Sequence, residues 1–183
     1  VRVTGSELIG LVPKKVLIDA GEYFLKKQKR SLGVPESEII NIAVKSLGLD
    51  DLFDFNPKER IIEYLIEEPK EKLSSLSLTD FANETSSESP APGGGSISAY
   101  CGTLAASLTT MVANLSSHKR GWDDRWEFFS DWAKKSLDVQ NELIDLVDKD
   151  TDAFNQIIES IRLPKDTEEE IKKRNEAISK ATK

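Results

Sequence analysis

At 183 residues, the chain is long enough for one good domain, or for a small domain plus a piece of another. Its net charge of −7, from 25 Lys and Arg against 32 Asp and Glu, argues against nucleic acid as a partner, because phosphate contacts require a basic face. A single cysteine, Cys101, excludes an internal disulfide and fits a reducing, cytoplasmic compartment. The one histidine, His118, has no cluster of cysteines beside it, so no metal site is expected.

Val1-Arg2-Val3-Thr4 alternates like the end of a strand, and Gly5 breaks it. The sequence starts without Met or an apolar leader run and stops inside a helical pattern, so it reads as a piece cut at both ends. Pro13 is placed to open a helix carrying Val16, Leu17, Ala20, Phe24 and Leu25 at helical spacing. The basic run Lys26–Arg30 falls at the end of that helix, where cations complement the dipole. Pro35 opens a second helix that Gly48 ends, and Pro57 opens a short third one through Ile61, Ile62, Tyr64, Leu65 and Ile66.

Charge and Pro69 interrupt the apolar periodicity at Glu67–Lys72, which marks a boundary between two independently packed parts. The expected division is 1–68, a linker over 69–77, and a second part over 78–183. Past residue 69 no strand is expected. A short helix over 79–85 with Thr79 as N-cap leads into a glycine loop; long helical patterns follow over 96–117 and 122–161, and Pro164 separates the latter from a last charged helix over 166–183.

The loop Ser89-Pro90-Ala91-Pro92-Gly93-Gly94-Gly95-Ser96 opens a stretch with no Asp, Glu, Lys or Arg before Lys119, in a chain that is 31% charged. Small residues after Ser96 predict a helix packed on most of its surface, with Cys101 as a small buried hydrophobe. Nine Ser, Thr or Asn side chains between Ser96 and Ser117 make it too polar for a membrane span. A helix start of this kind points free N–H groups at whatever approaches it. The plainer alternative is a flexible connection, since no Lys-Ser/Thr follows the glycines as in a phosphate loop.

Plotting residues 143–161 at about 100° per residue puts Leu146, Val147, Phe154, Ile157, Ile158 and Ile161 within about 60° of Leu143. Asp145, Asp152 and Glu159 lie near the opposite pole, and Asp148 near the polar side. Asp150 falls about 20° from the centre of the apolar face, with Thr151 at its edge. A carboxylate there must be paired, hydrogen-bonded or neutralised, and desolvation would raise its pKa toward a value useful for proton transfer. Two readings stand: a polar contact that fixes packing, or a general acid/base in a cleft. Trp122, Trp126 and Trp132, with Phe128 and Phe129, read as core or interface aromatics rather than a stacking platform.

Four blocks, in order, resemble the formiminotetrahydrofolate cyclodeaminase family: Ser89–Ser96, Met111-Val112-Ala113-Asn114-Leu115, Leu146–Phe154, and Leu163-Pro164-Lys165. Val3–Pro13 and Phe55–Leu65 are similar to the C-terminal end of glutamate formiminotransferases. Together they resemble the junction of the bifunctional formiminotransferase-cyclodeaminase family. The transferase resemblance covers only its last stretch, and the family's catalytic histidine has no counterpart, so transferase activity is not expected of this chain alone.

The resemblance implies a mainly α fold: a multihelical, cyclodeaminase-like bundle, its last helices absent at Lys183, preceded by a small, mostly helical remnant of an α/β transferase subdomain. It also implies a homodimer or larger homo-oligomer, with a reduced folate, with or without a polyglutamate tail, as the substrate. No covalent cofactor, metal, nucleic acid or membrane is implied. The implied reaction, in histidine degradation, closes 5-formiminotetrahydrofolate to 5,10-methenyltetrahydrofolate with loss of ammonia. Asp150 is then the expected acid/base, Asp148 its alternative, and Gly93, Gly94, Gly95, Ser96 and Thr151 the folate-binding set. The competing view is a non-catalytic helical scaffold that dimerises.

Overall fold

The computed structural model describes residues 6–66 and 72–182. The expected strand end at 1–4 and residues 69–71 of the expected linker lie outside them. Among the described residues the fold is helical: α1 (Lys14–Lys27), α2 (Glu36–Leu47), α3 (Pro57–Arg60), α4 (Ile62–Ile66), α5 (Leu78–Thr85), α6 (Gly94–Ser117), α7 (Trp126–Arg162) and α8 (Glu168–Ala181), with a 3₁₀ turn at Leu73–Ser75. The chain divides into two compact units, one of residues 1–70 and 105–140, the other of 71–104 and 141–183. Both α6 and α7 contribute residues to each.

In the first unit, prolines set the starts. Pro13 and Pro35 stand at the N-cap, one residue earlier than helix position N1, whereas Pro57 occupies N1 behind an Asn56 cap. Gly48 ends α2 with φ of 66°, a left-handed conformation that a side chain resists. Val12, Leu17, Ile40, Ala43, Val44 and Ile61 form the core between α1 and α2. Ile61 corrects the expectation of one helix after Pro57. It is fully buried and extended, in a parallel bridge with Val12. The Val12 N–H donates to the Arg60 carbonyl at 2.9 Å and the Ile62 N–H to the Val12 carbonyl at 3.1 Å, so the helix splits into α3 and α4.

In the second unit, Ser77 rather than Thr79 caps α5: its hydroxyl accepts the Asp80 N–H at 3.1 Å. Placing the cap two residues earlier lets Leu78 and Thr79 join the helix. Thr167 and Glu170 form a reciprocal capping box at the start of α8.

Two expectations are corrected along the long helices. The segment 122–125 is a turn, so α7 starts at Trp126; Trp122 instead folds back to stack on Phe129, with ring centroids 5.2 Å apart. And α6 is covered along one side only, where Ser96, Thr103, Thr110, Ala113 and Ser117 are buried. Leu108, Val112 and Leu115 are 59%, 58% and 67% exposed, and Cys101 is exposed as well. Small, uncharged side chains suit close packing, but this side of the helix stays more than half exposed at Leu108, Val112 and Leu115. On length and mean hydropathy (1.2) alone, α6 would suffice to cross a membrane. Several of its hydroxyls turn back to carbonyls one turn earlier, among them those of Thr103, Thr109 and Thr110.

Candidate functional site

The site grows from an unmet need at the start of α6. The first N–H groups of a helix have no partner within it, and α6 has no acidic residue in its first turn. Asp150, on α7, supplies what the local sequence lacks. Its Oδ2 accepts the Ser96 backbone N–H at 2.8 Å and lies 2.9 Å from the Ser96 hydroxyl. A negative charge here also complements the helix dipole. Ser96 is fully buried, and its one hydroxyl proton is shared between Asp150 Oδ2 and the Val147 carbonyl at 3.1 Å. Thr151 Oγ1 stands 3.4 Å from the same hydroxyl.

Gly95 makes this contact possible. A Cβ built on it would lie 2.3 Å from Asp150 Oδ1, closer than such atoms approach. The glycine is therefore needed for carboxylate access to the helix start. Gly93 and Gly94 differ: a Cβ on either meets nothing within 4 Å, so they form the open edge of the loop.

Of the expected residues, the structure brings Gly95, Ser96, Asp150 and Thr151 together. Asp148 turns elsewhere. It accepts the Ser74 N–H at 3.1 Å and the Ser74 hydroxyl at 2.6 Å, tying the 3₁₀ turn to α7. Nothing in the sequence singled out Ser74, which lies in an undistinguished serine-rich run. The expectation that Asp150 is desolvated is corrected. The residue is exposed, because on the apolar stripe only Val147 is fully buried, while Leu146 and Phe154 remain 42% and 39% exposed.

Chemically, the two carboxylate oxygens of Asp150 are unequal. Oδ2 is anchored to Ser96, while Oδ1 accepts no hydrogen bond among the described residues and faces Gly95. An anchored carboxylate with one open oxygen, beside a hydroxyl pair and a bare glycine backbone, can receive a proton from a neighbouring group and return it. Among the described residues no three His, Cys, Asp or Glu side chains come together to hold a metal ion.

Residues 77–183 match the family described as formiminotransferase-cyclodeaminase, and residues 1–67 match the formiminotransferase domain. The chain is 39% identical over 183 residues to a formimidoyltransferase-cyclodeaminase of Gallus gallus, covering 99% of this chain and 34% of that protein. It is 40% identical over 170 residues to one of Mus musculus, covering 92% and 31%. A methenyltetrahydrofolate cyclohydrolase of Methylorubrum extorquens is 31% identical over 103 residues, 56% of this chain and 50% of that protein. The chain spans about a third of the length of the formimidoyltransferase-cyclodeaminases it matches.

Proposed function

Because the chain belongs to the formiminotransferase-cyclodeaminase family, we propose that it is the joining piece of a folate-dependent one-carbon enzyme of histidine degradation. In this reading its helical part closes 5-formiminotetrahydrofolate to 5,10-methenyltetrahydrofolate and releases ammonia. The carrying observation is the Asp150 carboxylate, fixed through Oδ2 on the start of α6 and open at Oδ1 beside Gly95. The names of the relatives support the substrate class, since one of them acts on methenyltetrahydrofolate.

The reaction needs N10 of the folate to attack the formimino carbon held on N5. The tetrahedral centre that forms then expels its nitrogen, which leaves only if protonated. In this reading Asp150 Oδ1 takes the N10 proton and delivers one to the departing nitrogen, which leaves as ammonia. The backbone at Gly93 and Gly94, free of side chains, admits a flat polar ligand edge. Holding both reacting nitrogens of one molecule in place supplies the proximity contribution. The exposed apolar residues of α6 support self-association, and the acidic net charge gives no support to nucleic-acid binding.

The bonds to Ser96 also favour a second reading, in which Asp150 only caps α6 within a non-catalytic scaffold. A titration with a stable reduced folate, followed by incubation with the formimino substrate, separates the two. Binding with formation of methenyl-folate absorbance and ammonia supports the enzyme. Stable folding without folate binding supports the scaffold.

A further inference from the structure

The two family segments meet inside the first unit through a short loop that neither the glycine site nor the proposed reaction uses. Between α1 and α2, Ser31, Leu32 and Gly33 are all buried, although Ser31 is polar and Gly33 offers no side chain. Their partners lie in the cyclodeaminase-like segment. The Ser31 hydroxyl donates to Asn114 Oδ1 at 2.5 Å, and Asn114 Nδ2 donates back to the Gly33 carbonyl at 2.6 Å. The Leu32 N–H donates to the hydroxyl of Ser130, itself 1% exposed, at 2.9 Å. The Gly33 N–H closes on the Ser31 hydroxyl at 3.2 Å.

Steric fit agrees with the bonding. A Cβ on Gly33 would lie 2.3 Å from the Ala133 methyl and 2.7 Å from its carbonyl carbon, so only glycine lets this loop lie against α7. Ala133 is fully buried beneath it. Beside the loop, Lys134 of α7 pairs with Glu22 of α1. Buried polar groups matched one to one across a surface make a docking contact rather than an incidental one, because separation leaves each without its partner.

We infer that Ser31–Gly33 is a docking latch that seats the transferase-like segment on the Asn114 face of α6 and the Ser130–Ala133 face of α7. The connection through residues 67–71 is then not what holds the segments together. Asn114 reads both a donor and an acceptor of the loop, so it sets register, and Gly33 sets the distance of approach.

The test uses the full chain with a specific protease sequence, flanked by Gly-Ser spacers, inserted after Glu68. After cutting, the two fragments should co-elute on size exclusion, and dilution should separate them only at low concentration. Asn114→Ala should weaken their association by about ten-fold or more, because it strands a buried hydroxyl and a buried carbonyl. Ser130→Ala, which keeps helical propensity, should do the same through the Leu32 N–H. Fragments that elute apart immediately after cutting would overturn the inference. So would co-elution that neither substitution weakens, since other contacts would then hold the segments.

Discussion

Asp150 and Ser96, 54 positions apart, share one oxygen: Oδ2 of the carboxylate takes the Ser96 N–H at 2.8 Å and lies 2.9 Å from its hydroxyl. Helices usually cap themselves with a side chain at their own N-cap position. Here that task passes to a different helix, so the start of α6 and the middle of α7 are fastened by the same group that presents a free oxygen beside the glycine loop. Folding and chemistry therefore draw on one residue, and substitutions around it can be chosen to separate them.

The glycines provide the sharpest contrast. Gly95→Ala places a methyl 2.3 Å from Asp150 Oδ1, and either the carboxylate or the helix must move. A loss of about 1–3 kcal/mol is expected, in line with overpacked sites. Gly94→Ala meets nothing within 4 Å and is expected to be neutral or to stabilise by about 0.4–1 kcal/mol, by narrowing the unfolded ensemble. Urea unfolding of the two variants measures the difference, and equal midpoints would contradict the close approach.

A similar comparison applies at Gly102. Its hypothetical Cβ lies 3.1 Å from the tip of Leu143, a flexible side chain that can give way. Gly102→Ala should therefore be tolerated. Gly102→Leu should cost about 1–3 kcal/mol, because the added branches reach past what Leu143 can yield. An unchanged melting temperature for Gly102→Leu would show that α6 and α7 do not pack closely at this level.

Much of this arrangement was legible from residue types. Prolines 13, 35 and 57 and Gly48 mark helix ends because each fixes or frees a backbone dihedral locally. The helical plot showed that Asp150 stood on the apolar face and had to be paired, hydrogen-bonded or neutralised, and it did not show that its partner was the glycine-loop serine. Burial was misjudged for a physical reason. Periodicity reveals which side of a helix is apolar, as for Leu108, Val112 and Leu115, but not whether anything covers it. Ser130 and Ser74 carried no signal, and Asn114 stood only inside a resemblance block that said nothing of its partner, since a lone polar residue acquires its meaning from a loop distant in sequence. The Val12–Ile61 bridge was hidden likewise, because Ile61 continues the helical spacing of its neighbours while its backbone is extended.

Acid should weaken the first unit through Glu63. Its carboxylate accepts the Lys14 N–H at the start of α1, at 2.7 Å, and this bond holds its pKa below the usual 4.5. A group whose folded pKa is depressed contributes stability that is fully present above its unfolded pKa. That contribution is lost as pH falls from about 4.5 through the lower folded value. Glu63→Gln should lower the urea midpoint at pH 7 and flatten its decline in acid. A variant with the same acid slope as the parent would show that Glu63 does not couple protons to folding.

The last prediction separates the two roles of Asp150. Asp150→Asn keeps an oxygen able to accept the Ser96 N–H, so the cap and most of the fold should persist. What it removes is the charge at the helix start, worth about 0.3–1 kcal/mol, and the group able to exchange a proton. Asp150→Ala removes the cap as well and should cost about 0.5–2 kcal/mol. If Asp150 is the acid/base, Asp150→Asn should bind reduced folate nearly as the parent does while turnover falls by about 10²–10⁴-fold. The comparison is made in the form of the protein that turns over the formimino substrate. Asp152→Asn, exposed on the same helix, serves as the control and should change neither quantity. The proton-transfer role is rejected if the folded Asp150→Asn protein still releases ammonia at nearly the parent rate. In that event the carboxylate serves only as the cap of α6, and the loss seen in Asp150→Ala measures its whole contribution.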